Sequence, residues 1–193
     1  MELPLFPLNT VLLPGGRLRL KVFEPRYLDL VSACLRSGEP FGICLIQSGA
    51  EVGELAQPEP VGTLAHIRTA DMNTPGVFEI EVEGGGRYRI LSTRAGPNRL
   101  LIGEVELKPP ESTAPVPVHC APCLRLLQRL AEELPKFGLH PVRDEVAWVG
   151  HRLVELLPFE MPARQALLEL DDPVRRLEII VEFVREQGWS EEG

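Results

Sequence analysis

The chain has 193 residues, with 44% hydrophobic and 25% charged side chains and a formal charge of −8. That length and apolar content can bury one large core or two modest ones, which excludes disordered and fibrous classes. The 20 Lys and Arg against 28 Asp and Glu exclude a protein whose main task is gripping phosphate backbones, since that grip comes from cations displacing counterions.

Taken in chain order, residues 17–22 alternate strictly between basic and apolar side chains, as a half-buried strand must. Residues 25–37 carry Tyr27, Leu30, Val31 and Cys34 at helical spacing, with Pro25 suited to the first helical position and Gly38 as the stop. Residues 41–47 and 61–67 are further strand candidates. Residues 77–83, the glycines 84–86 and residues 87–91 read as a hairpin whose glycines supply a positive-φ turn. A register symmetric about Gly85 sets Glu83 opposite Arg87 and Glu81 opposite Arg89, with Val82 facing Tyr88 and Ile80 facing Ile90. Residues 109–117 are rich in proline and read as a semi-rigid linker.

Beyond the linker the period becomes helical. Helices are expected over 120–134, 144–157 and 162–170, and a last one is capped by Asp172, carries Pro173 in its first turn and ends near Gly188. The expected class is α+β: a mostly antiparallel β domain with one packed helix over residues 1–108, the linker over 109–117, and a small helical bundle over 118–193. Residues 1–108 hold 11 basic and 13 acidic side chains and the remainder 9 and 15, so the acidity concentrates in the helical part. No apolar run approaches the roughly 20 residues that cross a bilayer, and MELPLFPL lacks the basic region of a signal peptide. A cytoplasmic location without membrane association is therefore expected.

Four ordered segments carry a family resemblance: Pro4-Leu5-Phe6-Pro7-Leu8, then Val22-Phe23-Glu24-Pro25-Arg26-Tyr27, then Val61-Gly62-Thr63 with Ala65 and Ile67, then Gly84 with Arg87 and Ile90. Together they resemble the N-terminal, substrate-binding domain of Lon proteases, and Phe-Glu-Pro-Arg-Tyr is the most specific piece. The helical tail is similar to the segment that follows this domain in Lon. The resemblance implies a PUA-like β barrel over residues 1–108 and a role in recognising unfolded or client polypeptides, with a protease or ATPase as a partner in trans. The chain has no Gly-Lys for a Walker A loop, and it ends at Gly193 without room for a Ser-Lys peptidase domain. Binding without ATPase or peptidase activity, and without a cofactor, is the expectation.

Phe23, Glu24, Arg26 and Tyr27 stand at the strand-to-helix corner, where they either lock the corner or line a protein-binding groove. Cys120 and Cys123 form a Cys-x-x-Cys at a helix N-terminus, a place where thiolates are stabilised. A dithiol redox protein is thus one alternative, although no βαβ context supports it. A zinc site would need a fourth ligand beside His119, Cys120 and Cys123, from His140, His151 or a distant Cys. The simpler reading is a pair of apolar packing side chains, with Cys34 and Cys44 as buried thiols. His66 is expected on a sheet face, and Asp171-Asp172 to serve a helix cap. An RNA-binding PUA-like protein is the other alternative. Arg17, Arg19, Arg87 and Arg89 interleave with acids, however, so a nucleic-acid partner is not expected.

Overall fold

The computed structural model describes residues 1–49, 56–133 and 141–189 and divides into two units, Met1–Pro110 and Glu111–Gly193. Among the described residues of the first unit, seven strands appear in chain order: β1 (Glu2–Leu8), β2 (Arg17–Val22), β3 (Phe41–Ser48), β4 (Gln57–Pro58), β5 (Val61–Thr74), β6 (Val77–Ala95) and β7 (Leu101–Leu107). One helix, α1 (Pro25–Ser37), follows β2. The sheet runs β1-β7-β6-β5-β3 and closes on itself through a parallel β1–β3 pairing, Leu5↔Gly42 to Leu8↔Leu45. The other neighbours in the ring are antiparallel, so the α+β, mostly antiparallel barrel with a packed helix is as expected.

Among the described residues, two buried clusters lie in this unit. Leu3, Leu5, Cys44, Tyr88, Leu101 and Val105 form one, and the Tyr88 hydroxyl donates to the Ile43 carbonyl at 3.0 Å. The other joins Phe6, Leu8, Val22 and Ile80 to the inner face of α1, where Tyr27, Leu30, Val31 and Cys34 are buried. The helical spacing read from the sequence is therefore the packing stripe. His66 lies on the exposed side of β5.

The glycine hairpin expected at residues 84–86 is not formed. β6 runs unbroken through Gly84–Gly86, and the turn lies at Pro75-Gly76, with Thr74 opposite Val77 and Gly76 at φ 79°. Proline followed by a positive-φ glycine is the pairing that a type II turn demands. The glycine run instead marks a bulge, since Thr63 pairs Arg87 but Ala65 pairs Gly84, leaving an extra residue on β6. Gly84 is there for close approach: an added Cβ would meet the Leu13 carbonyl oxygen at 2.2 Å, and Gly84 exchanges backbone hydrogen bonds with Gly15 and Gly16 at 2.7 and 2.8 Å. Consequently Glu83 and Glu81 face Arg17 and Arg19 of β2, not Arg87 and Arg89. β6 serves β5 along one edge, while its other edge serves β2 first and β7 afterwards.

β1 and β7 were not anticipated as strands. β1 contains Pro4 and Pro7, which argue against a central strand. Its N-terminal half pairs β7 and its C-terminal half pairs β3, sharing only Leu5, so each half has an open side where a residue without an N–H is tolerated.

The second unit holds four helices among its described residues: α2 (Ala121–Glu133), α3 (Val146–Leu156), α4 (Met161–Glu169) and α5 (Pro173–Glu186). They match the expected helices to within a residue or two; the last residue expected in α2, Leu134, lies outside the described residues. Asp172 caps α5 by accepting the Val174 and Arg175 amides at 2.9 and 3.1 Å. Part of the proline-rich stretch is fixed within this unit: Ala114 accepts the Val146 amide, and the Val116 amide donates to Asp144. At the head of the unit the Glu111 carboxylate takes His151 Nε2 at 2.5 Å and Arg176 Nη2 at 2.6 Å, and Arg176 Nε donates to the Leu167 carbonyl.

Candidate functional site

The alternation of β2 turns Leu18, Leu20 and Val22 toward the interior and leaves Arg17, Arg19 and Lys21 exposed. The strand then meets α1 at a corner that three residues fix. Glu24 supplies the N-terminal carbonyl that takes the Tyr27 and Leu28 amides. Its carboxylate pairs with Arg26 at 3.0 Å, and Arg26 also donates to the Arg99 carbonyl at 3.3 Å. The Arg26 guanidinium sits 4.8 Å from the centroid of the Tyr27 ring. Tyr27 in turn stacks on Phe6, ring centroids 3.8 Å apart and planes 10° from parallel.

Beside this corner lies a groove of about 230 Å³. One wall is β2 from Arg19 to Val22, the other is formed by Phe6 and Leu8 of β1, and Phe23, Glu24 and Tyr27 close the end at the corner. Phe23 is 57% exposed at this lip, whereas Tyr27 and Arg26 are buried. An exposed aromatic next to an apolar groove is the kind of surface that partners use. The structure thus brings the four corner residues together and divides their work: Glu24 and Arg26 hold the corner, Tyr27 supports the groove from beneath, and Phe23 faces outward. The sequence did not mark Arg19, Leu20 and Lys21 as groove residues; the signal was their alternation leading directly into Phe23.

Cys120 and Cys123 are both buried free thiols. Burial, with the nearby Cys120, pushes the Cys123 thiol up to about 12. Burial and the Glu178 charge raise Cys120 as well. Cys123 donates to the Leu177 carbonyl at 3.6 Å. This environment disfavours a thiolate, the reverse of what an attacking cysteine requires. Cys44 is likewise pushed up by burial to about 12, against a weaker opposing hydrogen bond with Tyr88.

His119 lies 3.4 Å from Glu178, and His151 is held by Glu111. Among the described residues no three His, Cys, Asp or Glu converge where they could hold a metal ion; His140, a ligand considered from the sequence, lies outside them. The Glu111–His151–Arg176 cluster is too buried to meet a substrate, at 9%, 2% and 0% side-chain exposure. Its role is to fasten α3 and α5 to the chain entering the helical unit. No sequence signal reveals it, because its partners lie 40 and 65 residues apart along the chain.

The family model for the ATP-dependent protease La (LON) substrate-binding domain matches residues 2–186. Lon protease 1 of Thermus thermophilus is 33% identical over 113 residues, which is 57% of this chain and 14% of that protease, so the chain spans a small part of that relative. A Lon N-terminal domain protein from Xanthomonas campestris superimposes with a TM-score of 0.78 at 40% identity, covering 94% of this chain and 98% of the other. The N-terminal domain of a Mycobacterium avium complex Lon protease superimposes with a TM-score of 0.70 at 17% identity, covering 96% and 99%, a likeness of fold. Among the described residues no helix is long and apolar enough to cross a membrane.

Proposed function

We propose, from the premise that the chain belongs to the Lon substrate-binding domain family, that it binds unfolded or client polypeptides through the groove beside the β2–α1 corner and performs no catalysis of its own. The observation that carries this reading is Phe23, a large apolar side chain left exposed at the lip of an apolar groove beside a corner that Glu24 and Arg26 hold in place. Locking matters energetically, because a preformed site spares the ordering cost that a mobile loop incurs on binding. A cytoplasmic location, and delivery of the bound polypeptide to a protease or ATPase in trans, belong to the same proposal.

The RNA-binding alternative lacks a comparable observation. Arg17, Arg19, Lys21, Arg68 and Arg94 each lie within 3.4 Å of a glutamate oxygen, so acids interleave with these bases and they form no contiguous basic patch of the kind that grips a phosphate backbone. The dithiol alternative meets the raised thiols described above.

Fluorescence anisotropy of a labelled, reduced and carboxymethylated unfolded protein tests the proposal. Binding with a Kd of about micromolar is expected, and Phe23→Asp should weaken it about tenfold or more. Unaltered binding by Phe23→Asp would move the site elsewhere, and no binding by the natural chain would remove the function.

A further inference from the structure

We infer that the outer edge of β2 takes up an extended polypeptide segment as an added strand, with apolar residues of that segment on the groove side and acidic residues opposite Arg17, Arg19 and Lys21. The inference rests on the polypeptide-binding reading and gives that reading its mode and its preferred sequence.

Between residues 66 and 83 the sheet is three strands wide, in the order β2-β6-β5, and it has two outer edges. Beyond Ala65, β5 has no pairing with β3, and its own pairing with β6 slips twice, between Ile67 and Thr69 and between Asp71 and Thr74. Such irregularity breaks the even row of amides and carbonyls that an incoming strand would need. β2 differs. Its six residues pair β6 without a shift, from Arg17↔Glu83 to Val22↔Phe78, and among the described residues it has no other strand partner. Alternate amides and carbonyls of β2 therefore point away from β6 in regular order, and a strand is the shape that satisfies such a row. The groove runs along this same edge from Arg19 to Phe23.

Charge selects the occupant. Arg17 and Arg19 pair with Glu81 of β6 and Lys21 with Glu79, yet their side chains stay 66%, 87% and 76% exposed, which leaves them open to a strand added at the free edge of β2. A second copy paired antiparallel through the same edge would set basic residues against basic residues, which disfavours self-association. A strand carrying Asp or Glu at alternate positions meets them with opposite charge, a preference of roughly 1.5- to 5-fold per pair. Its intervening residues then fall beside Leu18, Leu20 and Val22, where apolar side chains fit.

The test uses the full chain and labelled octapeptides that alternate leucine with aspartate or leucine with lysine. The aspartate peptide is also made with N-methyl groups on one or the other set of alternate residues. In an added strand only one set of amides faces β2, so one methylated peptide should bind about tenfold or more weakly while the other binds as the parent does. The aspartate peptide should bind several-fold tighter than the lysine peptide, and the double variant Arg19→Glu, Lys21→Glu should invert that order. Amide exchange of β2 should slow on binding. Two methylated peptides that both bind like the parent, or β2 amides that gain no protection, would overturn strand addition while leaving polypeptide binding intact. If the unfolded protein also fails to bind, both readings fall.

Discussion

Glu111 follows two prolines and enters the helical unit as a buried carboxylate held by His151 and Arg176. Burial alone would raise its pKa, but the hydrogen bonds and the charges of His151 and Arg176 together outweigh burial and hold the carboxyl down to about 2, below its ordinary 4.5. A carboxyl lowered on folding stabilises the folded state fully above its unfolded pKa, and that contribution is lost as pH falls from about 4.5 toward 2. Urea denaturation monitored by circular dichroism should therefore show the helical unit weakening over that window. Glu111→Gln should remove most of the pH dependence and cost about 3–5 kcal/mol at neutral pH, because Arg176 would keep its buried charge without a carboxylate. Tyr88→Phe makes a smaller change: it removes the buried hydrogen bond to the Ile43 carbonyl and should cost about 1–2 kcal/mol in the same measurement. Neither contact was legible in the sequence. Glu111 stood in a proline-rich stretch and His151 looked like a spare metal ligand, since only the fold brings them together.

Local periodicity explains which elements the sequence disclosed. The alternation at residues 17–22 and the stripe from Tyr27 to Cys34 record which side of each element meets the core. The corner between them was legible as a place of interest, though not the division of labour between Arg26, which holds, and Phe23, which faces outward. Glycines at 84–86 misled because a turn and a bulge call for the same residue for different reasons: one needs positive φ, the other needs space. Substitution separates the two. Gly84→Ala should destabilise by about 1–3 kcal/mol or more through its clash with the Leu13 carbonyl. Gly86→Ala, with nothing within 4 Å of the added carbon and no positive φ, should be neutral or stabilise by about 0.4–1 kcal/mol. Thermal unfolding of both variants checks this, and a costly Gly86→Ala would restore the turn reading. β1 escaped notice because both its partners lie far away in sequence, which no local pattern records; β7 pairs the neighbouring β6 from Ala95↔Leu101 onward and was missed together with the extension of β6 beyond Leu91.

Each unit has its own core and its own pair of buried thiols, Cys34 and Cys44 in the first and Cys120 and Cys123 in the second. The cysteines are therefore reporters of where the chain opens. In the folded protein at pH 8, Cys44 and Cys123, both held at about 12, should resist iodoacetamide. In Glu111→Gln, pulse labelling read by mass spectrometry should show Cys120 and Cys123 reacting at lower urea than Cys34 and Cys44. Simultaneous labelling of all four would mean that the two units unfold as one. The barrel's closure bears on how the chain is made. β1 needs β3 at residues 42–45 and β7 at residues 101–104 before both its halves are paired. At about 5–20 residues per second, ribosomes take roughly 3–12 seconds to travel from the first partner strand to the last. During that interval the segment Pro4-Leu5-Phe6-Pro7-Leu8 stands outside any finished barrel, and its two prolines, which interrupt the row of amide donors, keep it a poor template for pairing with other nascent chains.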